Sequence, residues 1–267
     1  MYTFQSRIRF SECDQNARLT PEALLNYFQD CSTFQSEDGQ IGVDYLKEHH
    51  TAWVVSFWQI VMEKMPKLGE NVTIATLPYE LAGAIGKRNY YMEDEKKNRL
   101  AVANSIWCYL DLEKGFPIRV PEEMYGVYQL DTPLDMDRCP RKLKFPGTVK
   151  MGMTETKNAD ANTIERNAAK MNREEKKKSD VKTADPVVIG LEHLDTNRHV
   201  NNGQYVRMAL SIAENEGMKN IREIRAEFLK QAVLGDTIYP VYTENEGGFF
   251  VSLNSEAGKP YTVVQML

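Results

Sequence analysis

The stretch TPEALLNYFQDCSTFQSEDG, residues 20–39, begins with Thr20 and Pro21, a capping residue followed by a first-turn proline. Apolar residues then recur at helical spacing on a broad face, and the pattern ends near Gly39. A face this broad is typical of a helix that other structure wraps on several sides. The stretch therefore predicts a long, enclosed helix.

Strand patterns lie on both sides of this helix. Residues 2–10 alternate in the way of a half-buried strand. Four later segments are rich in aromatic and β-branched residues and are separated by polar or glycine-containing breaks: 53–62, 71–78, 85–93 and 100–112. A strand, one long helix and a run of strands predict an α+β fold with an antiparallel sheet, because a parallel sheet alternates strands with helices.

The same order of elements returns near the C-terminus. Residues 185–193 have a strand pattern, and Asn201 or Asn202 caps a predicted helix that ends near Gly217. Four predicted strands follow, with turn residues between them: 221–231, 237–242, 249–253 and 261–266. The repetition indicates that the chain contains two copies of one unit.

Two short sequence matches support this duplication. The segment CDQNARL at 13–19 lies over LDTNRHV at 194–200, and both contain Asp-x-Asn. The segment LGENV at 68–72 lies over LGDTI at 234–238. Both matches fall in the same order and at equivalent points of the unit, so an internal duplication explains them best. The first copy needs a longer connection after its helix, and residues 38–50 are its predicted place.

The predicted organisation is two related domains and a connector. The N-terminal domain covers 1–120, the connector 121–183, and the C-terminal domain 184–267. The connector is polar and is expected to be partly helical or mobile, since its segment 155–182 has few large apolar residues. It also contains a basic window without acids after Asp137: Arg138, Arg141, Lys142, Lys144 and Lys150. This window is either a solvated face, which we favour, or a landing surface for an acidic partner.

Composition limits the classes of function. The chain has 267 residues, 42% of them hydrophobic, which is enough to bury a core without disulfides or structural metals. The formal net charge of −5 argues against a general nucleic-acid binder, whose affinity comes from Lys and Arg neutralising phosphates. Four widely spaced cysteines, expected mostly in the core, suit a reducing cytoplasm. The sequence shows no signal peptide, membrane span, phosphate loop, dinucleotide fingerprint or serine-hydrolase motif, so we expect a cytoplasmic protein.

The chemical candidates lie in the octapeptide DTNRHVNN, residues 195–202. Asp195, Asn197 and His199 occupy alternate positions, and alternate side chains of an extended chain share one face, so they are expected to converge on one pocket. The helix that follows has unpaired N–H groups at its start, where an oxyanion can be stabilised. The first copy has Arg18 where the second has His199, which predicts a single active site.

The octapeptide, a Tyr-containing helix after it and a strand ending in Leu-Gly-Asp resemble the hotdog-fold thioesterases. The duplicated arrangement resembles the acyl-ACP thioesterases of plants and bacteria, over nearly the whole chain apart from the connector. The resemblance implies tandem hotdog domains, each a long helix wrapped by an antiparallel β-sheet. It implies that the first domain shapes the acyl pocket and that the second carries catalytic Asp195, Asn197 and His199. It also implies a fatty acyl group on acyl carrier protein (ACP) as substrate, and no cofactor beyond water.

One strand departs from the family's pattern. Plant members have Glu-Tyr-Arg-Arg-Glu-Cys there, and the last acid and thiol have been assigned catalytic parts, whereas residues 227–232 of this chain are EFLKQA. Gln231 can orient a water or the imidazole but cannot accept a proton as a carboxylate does. Ala232 cannot be a nucleophile, which excludes a cysteine mechanism at this position.

We therefore expect a water mechanism. His199 or Asp195 would activate the water, since an imidazole can act as a general base at neutral pH. Asn197 would hold the water or the thioester carbonyl, and helix N–H groups near Asn202 would bind the oxyanion. Gln231 is a supporting candidate.

Other interpretations stay open. A single His before a helix is often structural, and His199 with Asp195 and Asn197 could ligate a metal, which we disfavour because an amide is a poor transition-metal ligand. Coenzyme A is the alternative carrier, although the basic window favours the strongly acidic ACP. A non-catalytic acyl-binding protein is the alternative outside the enzymes. Acyl chain length and oligomeric state, a homodimer included, are undecided.

Aromatic residues of the first half are expected mainly in the core, with some of them lining an acyl pocket. Sequence does not sort the members of this set: Trp53, Phe57, Trp58, Tyr90, Tyr91 and Trp107.

Overall fold

The first long helix begins and ends at its capping residues. This computed structural model of the protein describes residues 1–147 and 181–267. The Thr20 hydroxyl accepts the Ala23 N–H at 3.2 Å, and helix α1 (Pro21–Asp38) follows it. The other helices in the described ranges are α2 (Val43–Glu48), α3 (Glu122–Val127) and α4 (Asn202–Asn215).

The strands of the described ranges form one sheet in which every pairing is antiparallel, which confirms the predicted α+β class. In chain order they are β1 (Tyr2–Arg7), β2 (Thr51–Met62), β3 (Asn71–Ala82), β4 (Ile85–Asp94), β5 (Arg99–Asp111), β6 (Phe116–Pro117), β7 (Lys182–Thr183), β8 (Val187–Val188), β9 (Glu223–Phe228), β10 (Thr237–Asn245), β11 (Gly248–Asn254) and β12 (Pro260–Met266). The order across the sheet is β1-β3-β4-β5-β2-β9-β12-β11-β10-β7, with β6 beside β5 and β8 beside β10.

The two halves of the chain meet at β2 and β9. Their register runs from Phe57 opposite Glu227 to Val61 opposite Glu223, so the sheet continues without a break from one half into the other. Helices α1 and α4 pack in one hydrophobic core against this sheet.

The two segments of the first sequence match, 13–19 and 194–200, have the same backbone geometry. Cys13 bridges Leu19 and Leu194 bridges Val200, each closing the same short loop. Gly69 and Gly235, at equivalent points of the second match, have nearly equal φ values of +84° and +85°, a conformation that favours glycine. Both sequence matches thus mark the same turns in the two halves.

Two strand predictions are wrong. Residues 185–193 contain only β8 and then a 3₁₀ turn, because the Gly190 N–H donates to His193 Nδ1 at 2.9 Å and bends the chain. The predicted strand 221–231 ends at Phe228, since Leu229 and Lys230 both direct their N–H groups to the Tyr261 carbonyl. Gln231 consequently lies in a loop beyond the sheet.

The predicted connector is described in part. Helix α3 lies at its start and β7 at its end, and residues 148–180, with most of the segment expected to be helical or mobile, lie outside the described residues. Of the four free cysteines only Cys31 is buried, and the other three are half-buried. No helix in the described ranges is both long enough and apolar enough to span a membrane.

Candidate active site

The site is built on a tight turn and not on an extended strand. Asp195 Oδ1 accepts the N–H of Asn197 at 2.8 Å and the N–H of His199 at 3.2 Å, and the Asp195 N–H donates to the His199 carbonyl at 2.8 Å. Arg198 has a φ of +60° inside this turn. The expectation that alternate residues of an extended chain converge is therefore wrong in its geometry, although the turn still brings the side chains to one place.

The first copy contains the same turn without the chemistry. Asp14 Oδ1 accepts the N–H of Asn16 at 2.8 Å and of Arg18 at 2.9 Å, and Ala17 has a φ of +55°. The Asp-x-Asn pattern is thus a signal for this turn in both halves. What distinguishes the second half is the imidazole, because Arg18 instead donates from Nη1 to the Met65 carbonyl at 3.0 Å.

All the predicted site residues line one cavity of about 560 Å³: Asp195, Asn197, Asn202, His199 and Gln231. The His199 side chain is half-buried, and its Nδ1 is enclosed and has no hydrogen-bond partner among the described residues. Leaving a buried polar atom unpaired costs free energy, and such atoms often mark places where chemistry occurs. Within the described residues, therefore, the fold provides no hydrogen-bond partner for Nδ1 of the imidazole.

The start of helix α4 supplies an N–H group at the same cavity. Asn201 is the capping residue, since its Oδ1 accepts the Gly203 N–H at 2.7 Å and its carbonyl accepts the Gln204 N–H at 2.9 Å. The Asn202 N–H donates to no acceptor in the part of the chain that the structure describes. Helix N-terminal N–H groups stabilise negative charge, so this one can hold an oxyanion.

Two side chains from the other half hold this end of α4. Asn202 Nδ2 donates to Gln29 Oε1 of α1 at 3.3 Å, and Gln204 Nε2 donates to Glu22 Oε1 at 3.0 Å. Both partners belong to α1, whose residue Gln29 also lines the cavity. The position of the α4 terminus is therefore fixed by contacts between the halves.

Tyr205 holds the loop that carries Gln231. Its buried hydroxyl accepts the Ala232 N–H at 2.8 Å, and its ring lies 6.1 Å from that of Phe228. Burial raises the pKa of Tyr205 to about 12, so the phenol stays protonated at neutral pH. The loop residue Gln231 is itself exposed at the cavity. The sequence shows Tyr205 on the buried face of the second predicted helix. No local pattern reveals that its hydroxyl has a partner in the loop.

The cavity continues into the first half along aromatic and aliphatic walls. Trp53 and Trp107 line it, whereas Trp58, Phe57 and Tyr90 are fully buried elsewhere in the core. Aliphatic lining residues of the first half are Val43, Leu46, Val54, Val55, Leu81, Leu110 and Leu112. This apolar region is of the kind that accepts a hydrocarbon group.

Arg88 is a cavity residue that sequence reasoning missed. It is only 8% exposed, and its Nη1 donates to Gln35 Oε1 at 2.8 Å and to Thr76 Oγ1 at 3.3 Å. The guanidinium carbon lies 4.6 Å from the centre of the Tyr128 ring, and the Tyr128 hydroxyl is 2.8 Å from Ser36 Oγ. Within the described ranges it has no carboxylate partner. No local sequence pattern indicated that this strand arginine points inward.

His193 does not join the site. Its Nδ1 accepts the Gly190 N–H, in the way that Glu12 Oε2 accepts the Arg9 N–H at 2.8 Å in the first copy. Both side chains close equivalent 3₁₀ turns. His193 is a structural residue of the turn.

Known proteins share this sequence pattern and fold. Residues 1–128 match the family model of the acyl-ACP thioesterase N-terminal domain. An acyl-ACP thioesterase from Bacteroides thetaiotaomicron has a similar structure, with a TM-score of 0.78 and 19% identity over 99% of this chain and 96% of that chain. The 12:0-ACP thioesterase from Umbellularia californica gives a TM-score of 0.73 and 14% identity over 99% and 95%. No curated protein matches the sequence.

At these identities the two structures establish a common fold over nearly the whole chain, and the family model adds the relationship in sequence. The protein is therefore a thioester hydrolase. Its residues 1–128 match the acyl-ACP thioesterase family in sequence.

Proposed function

We propose that this protein hydrolyses fatty acyl-ACP to a free fatty acid and ACP, with His199 as the general base. The observation that carries the proposal is the single cavity, which has the imidazole and the Asn202 N–H at one part and an aromatic and aliphatic wall at another. A thioester carbonyl beside the imidazole would have its alkyl chain directed into the first half. In this proposal the halves are tandem hotdog domains, and the first shapes the acyl pocket.

The proposed reaction proceeds by direct attack of water. His199 accepts a proton from the water while the water oxygen forms a bond to the thioester carbonyl carbon. The Asn202 N–H stabilises the oxyanion that results, and Asn197 holds the carbonyl or the water. The C–S bond then breaks as the carbonyl reforms, and the imidazolium returns its proton to the departing thiolate.

Asp195 takes a positioning role in this mechanism. Its Oδ1 already accepts two backbone N–H groups, which supports holding the turn as its task and leaves proton transfer to His199. Gln231 lies exposed at the cavity and can orient the water, since its amide both donates and accepts hydrogen bonds.

The test is turnover of a long-chain acyl-ACP by wild type, His199→Ala and a matched variant, Arg18→Ala, at the equivalent position of the first copy. We expect the first substitution to abolish most turnover and the second to leave it nearly unchanged. Retention of near wild-type hydrolysis by His199→Ala would disprove the assignment of the base. The same acyl group on coenzyme A, compared by kcat/KM, identifies the preferred carrier.

A further inference from the structure

The side chain of Gln29, in α1 of the first half, contacts the start of α4 at the cavity. Its Oε1 accepts a hydrogen bond from Asn202 Nδ2 at 3.3 Å, and both residues line the cavity that contains His199. Gln29 Nε2 donates to no acceptor within residues 1–147 and 181–267. An amide nitrogen of this kind carries two donor hydrogens. Gln29 therefore brings an unused donor to the cavity, beside the residue whose backbone N–H is the proposed oxyanion donor.

The contact between α1 and the first turn of α4 follows from the residues on one face of α1. Glu22, Asn26 and Gln29 are spaced by four and three residues, so they share that face. Glu22 Oε1 accepts the Gln204 Nε2 hydrogen bond at 3.0 Å. A Cβ at Gly203 would lie 2.7 Å from Asn26 Oδ1, so the glycine lets the α1 side chain lie against the α4 backbone. This face of α1 thus holds Gln29 at the start of α4.

The duplication provides an internal comparison for Gln29. Each helix begins after a capping residue, Thr20 for α1 and Asn201 for α4. Gln29 and Leu210 are each the ninth residue after that cap, so they occupy equivalent positions in the two copies. Leu210 is buried in the hydrophobic core. The second copy therefore has an apolar side chain where the first copy has the amide.

The groups able to act on a thioester are together at one of the two equivalent places and missing from the other. The imidazole of His199 corresponds to the guanidinium of Arg18, and Asn202, with its N–H, corresponds to Pro21, which has no N–H. Gln29 reaches the same place from the opposite helix, and its equivalent is the leucine. The Asp-x-Asn turn, by contrast, is present in both copies. The distribution of Gln29 between the copies therefore follows that of the base and the oxyanion donor.

A second donor suits the chemistry of the oxyanion. The carbonyl oxygen of the tetrahedral intermediate is negatively charged and accepts more than one hydrogen bond, and the Asn202 N–H supplies one. Gln29 Oε1 is occupied as an acceptor, which leaves the Nε2 end of the amide free to donate. This donor is neutral and does not titrate, so it cannot serve as a base. Stabilising charge that develops in the transition state is the task that remains for it.

We propose that Gln29 Nε2 is the second hydrogen-bond donor to the oxyanion. This inference rests on the proposed function and deepens it by assigning a further catalytic residue, contributed by the N-terminal half. As the water oxygen bonds to the carbonyl carbon, His199 takes the proton and the C=O electron pair moves onto the oxygen. There the Asn202 N–H and Gln29 Nε2 both donate to it. The pair returns as the C–S bond breaks, and the imidazolium gives its proton to the sulfur.

The experiment compares Gln29→Leu with the matched variant Gln204→Leu. The first change introduces the residue found at the equivalent position of the second copy. The second removes an amide from the same helix contact without touching the cavity, since Gln204 bonds to Glu22 and does not line it. On a long-chain acyl-ACP, Gln29→Leu should lower kcat about 10²–10³-fold with little change in KM, the signature of losing one oxyanion donor. Gln204→Leu should keep kcat near the wild-type value, and urea unfolding checks that both variants fold.

Gln29→Glu separates a donor from a mere support of Asn202. A glutamate still offers an oxygen to Asn202 Nδ2, but it has no N–H and carries a negative charge that repels an oxyanion. We expect a loss of kcat at least as large as that of Gln29→Leu. If Gln29→Glu instead kept kcat near wild type, Gln29 would act only by holding Asn202, and the proposal would be overturned.

Binding of a thioether analogue gives a readout that does not depend on turnover. In this acyl-ACP analogue a methylene replaces the carbonyl, so no oxyanion can form on it. Gln29→Leu should bind it as tightly as wild type does. Weaker binding that matches the loss of kcat/KM, or an equal loss of kcat in Gln204→Leu, would show that Gln29 only maintains the shape of the cavity and would contradict the proposal.

A small thioester distinguishes failure of this assignment from failure of the proposed function. The oxyanion forms on the same carbonyl when the acyl group is carried by N-acetylcysteamine, so Gln29→Leu should lose a similar factor in kcat on that ester. Hydrolysis of the small ester by wild type without turnover of acyl-ACP would contradict the proposed substrate and leave the role of Gln29 to be decided by this comparison. Equal rates of wild type and Gln29→Leu on the small ester would overturn the role of Gln29.

Discussion

Asp195 Oδ1 accepts the backbone N–H of His199 at 3.2 Å, so the acid of the octapeptide is tied to the main chain of the residue whose side chain is the proposed base. Asp14 makes the equivalent bond to the Arg18 N–H at 2.9 Å in a half that has no histidine. The carboxylate therefore shapes the turn in both halves. The turn holds the imidazole in position, so the role of the carboxylate and the role of the imidazole can be tested separately.

Asp195→Asn and Asp195→Ala should behave differently. An asparagine oxygen can still accept the two backbone N–H groups, so Asp195→Asn should keep kcat within about tenfold of wild type, a loss smaller than removal of a general base causes. Asp195→Ala removes the acceptor and should lose more. Steady-state rates and their pH profiles check this, with Asp14→Ala as the control that disturbs the same turn away from the site. Equal, near-complete inactivation by both Asp195 variants would make Asp195 the base and contradict the positioning role.

His199→Gln should lower kcat about 10²–10⁴-fold, the range typical of a positioned general base, while leaving stability almost unchanged. Stability is retained because Nδ1 has no hydrogen-bond partner among the described residues, so the substitution breaks no hydrogen bond of this atom. Single-turnover hydrolysis and urea unfolding measure the two quantities on the same preparation. A large loss of stability with modest loss of rate would identify His199 as a structural residue of the turn.

The sequence predicted those features that depend on short-range patterns. The helix from Pro21, the two repeated turns and the residues of the octapeptide follow from caps, periodicity and spacing, and the structure places all of the predicted site residues at one cavity. The predicted extended conformation of this segment was wrong. The Asp195 carboxylate accepts the backbone N–H groups two and four residues later, and these hydrogen bonds fold the chain into a turn.

Features that depend on tertiary contacts could not be predicted from local patterns. Arg88 lies in a strand, and it donates a hydrogen bond to Gln35 of helix α1, which is distant in sequence. The periodicity of the strand does not predict this contact. The path of residues 139–143 is likewise set by the side chains of Gln59 and Glu227, which are far away in sequence. Tertiary packing also decides which aromatic residues line the cavity: Trp53 does, whereas Trp58 lies in the core against Phe28 of α1.

Trp53→Leu should shift the preferred acyl chain toward greater length. Trp53 lines the apolar part of the cavity, and a smaller side chain there leaves room for additional methylene groups, each worth about 0.8 kcal/mol when buried. The measurement is kcat/KM over a series of saturated acyl-ACPs. Phe57→Leu is the control, since Phe57 is fully buried outside the cavity and should lower stability without moving the optimum. An unchanged optimum in Trp53→Leu would place the acyl chain elsewhere.

The folded state should lose stability in alkaline solution. The pKa values of Tyr2, Tyr27, Tyr45 and Tyr205 are raised from 10.0 to about 12, by the Asp38 hydrogen bond for Tyr2 and by burial for the others. Burial likewise raises the pKa of the Cys31 thiol from 9.0 to about 12. Above pH 9 to 10 the unfolded chain releases protons that the native chain keeps, so the free energy of unfolding falls as pH rises toward 12. Urea titrations at pH 8, 10 and 11 test this, and equal stability at all three would contradict it.

Tyr205→Phe should affect both the fold and the rate through one hydrogen bond. The substitution removes the acceptor of the buried Ala232 N–H and should lower the free energy of unfolding by about 1–3 kcal/mol, the cost of an unsatisfied buried donor. Because Ala232 follows Gln231, the loop at the cavity should also become less ordered, and kcat should fall more than KM rises.

Tyr242→Phe is the matched control for Tyr205→Phe. Its hydroxyl donates to Glu216 Oε1 at 2.8 Å at the surface of the C-terminal half, away from the cavity. Losing it should cost little in stability and nothing in rate, because Glu216 still accepts from Lys182. Urea unfolding and steady-state kinetics of the two variants separate the effects. If Tyr205→Phe lowered stability without any change in kcat, the loop carrying Gln231 would have no part in the reaction, and the oxyanion and base residues would have to account for the whole rate.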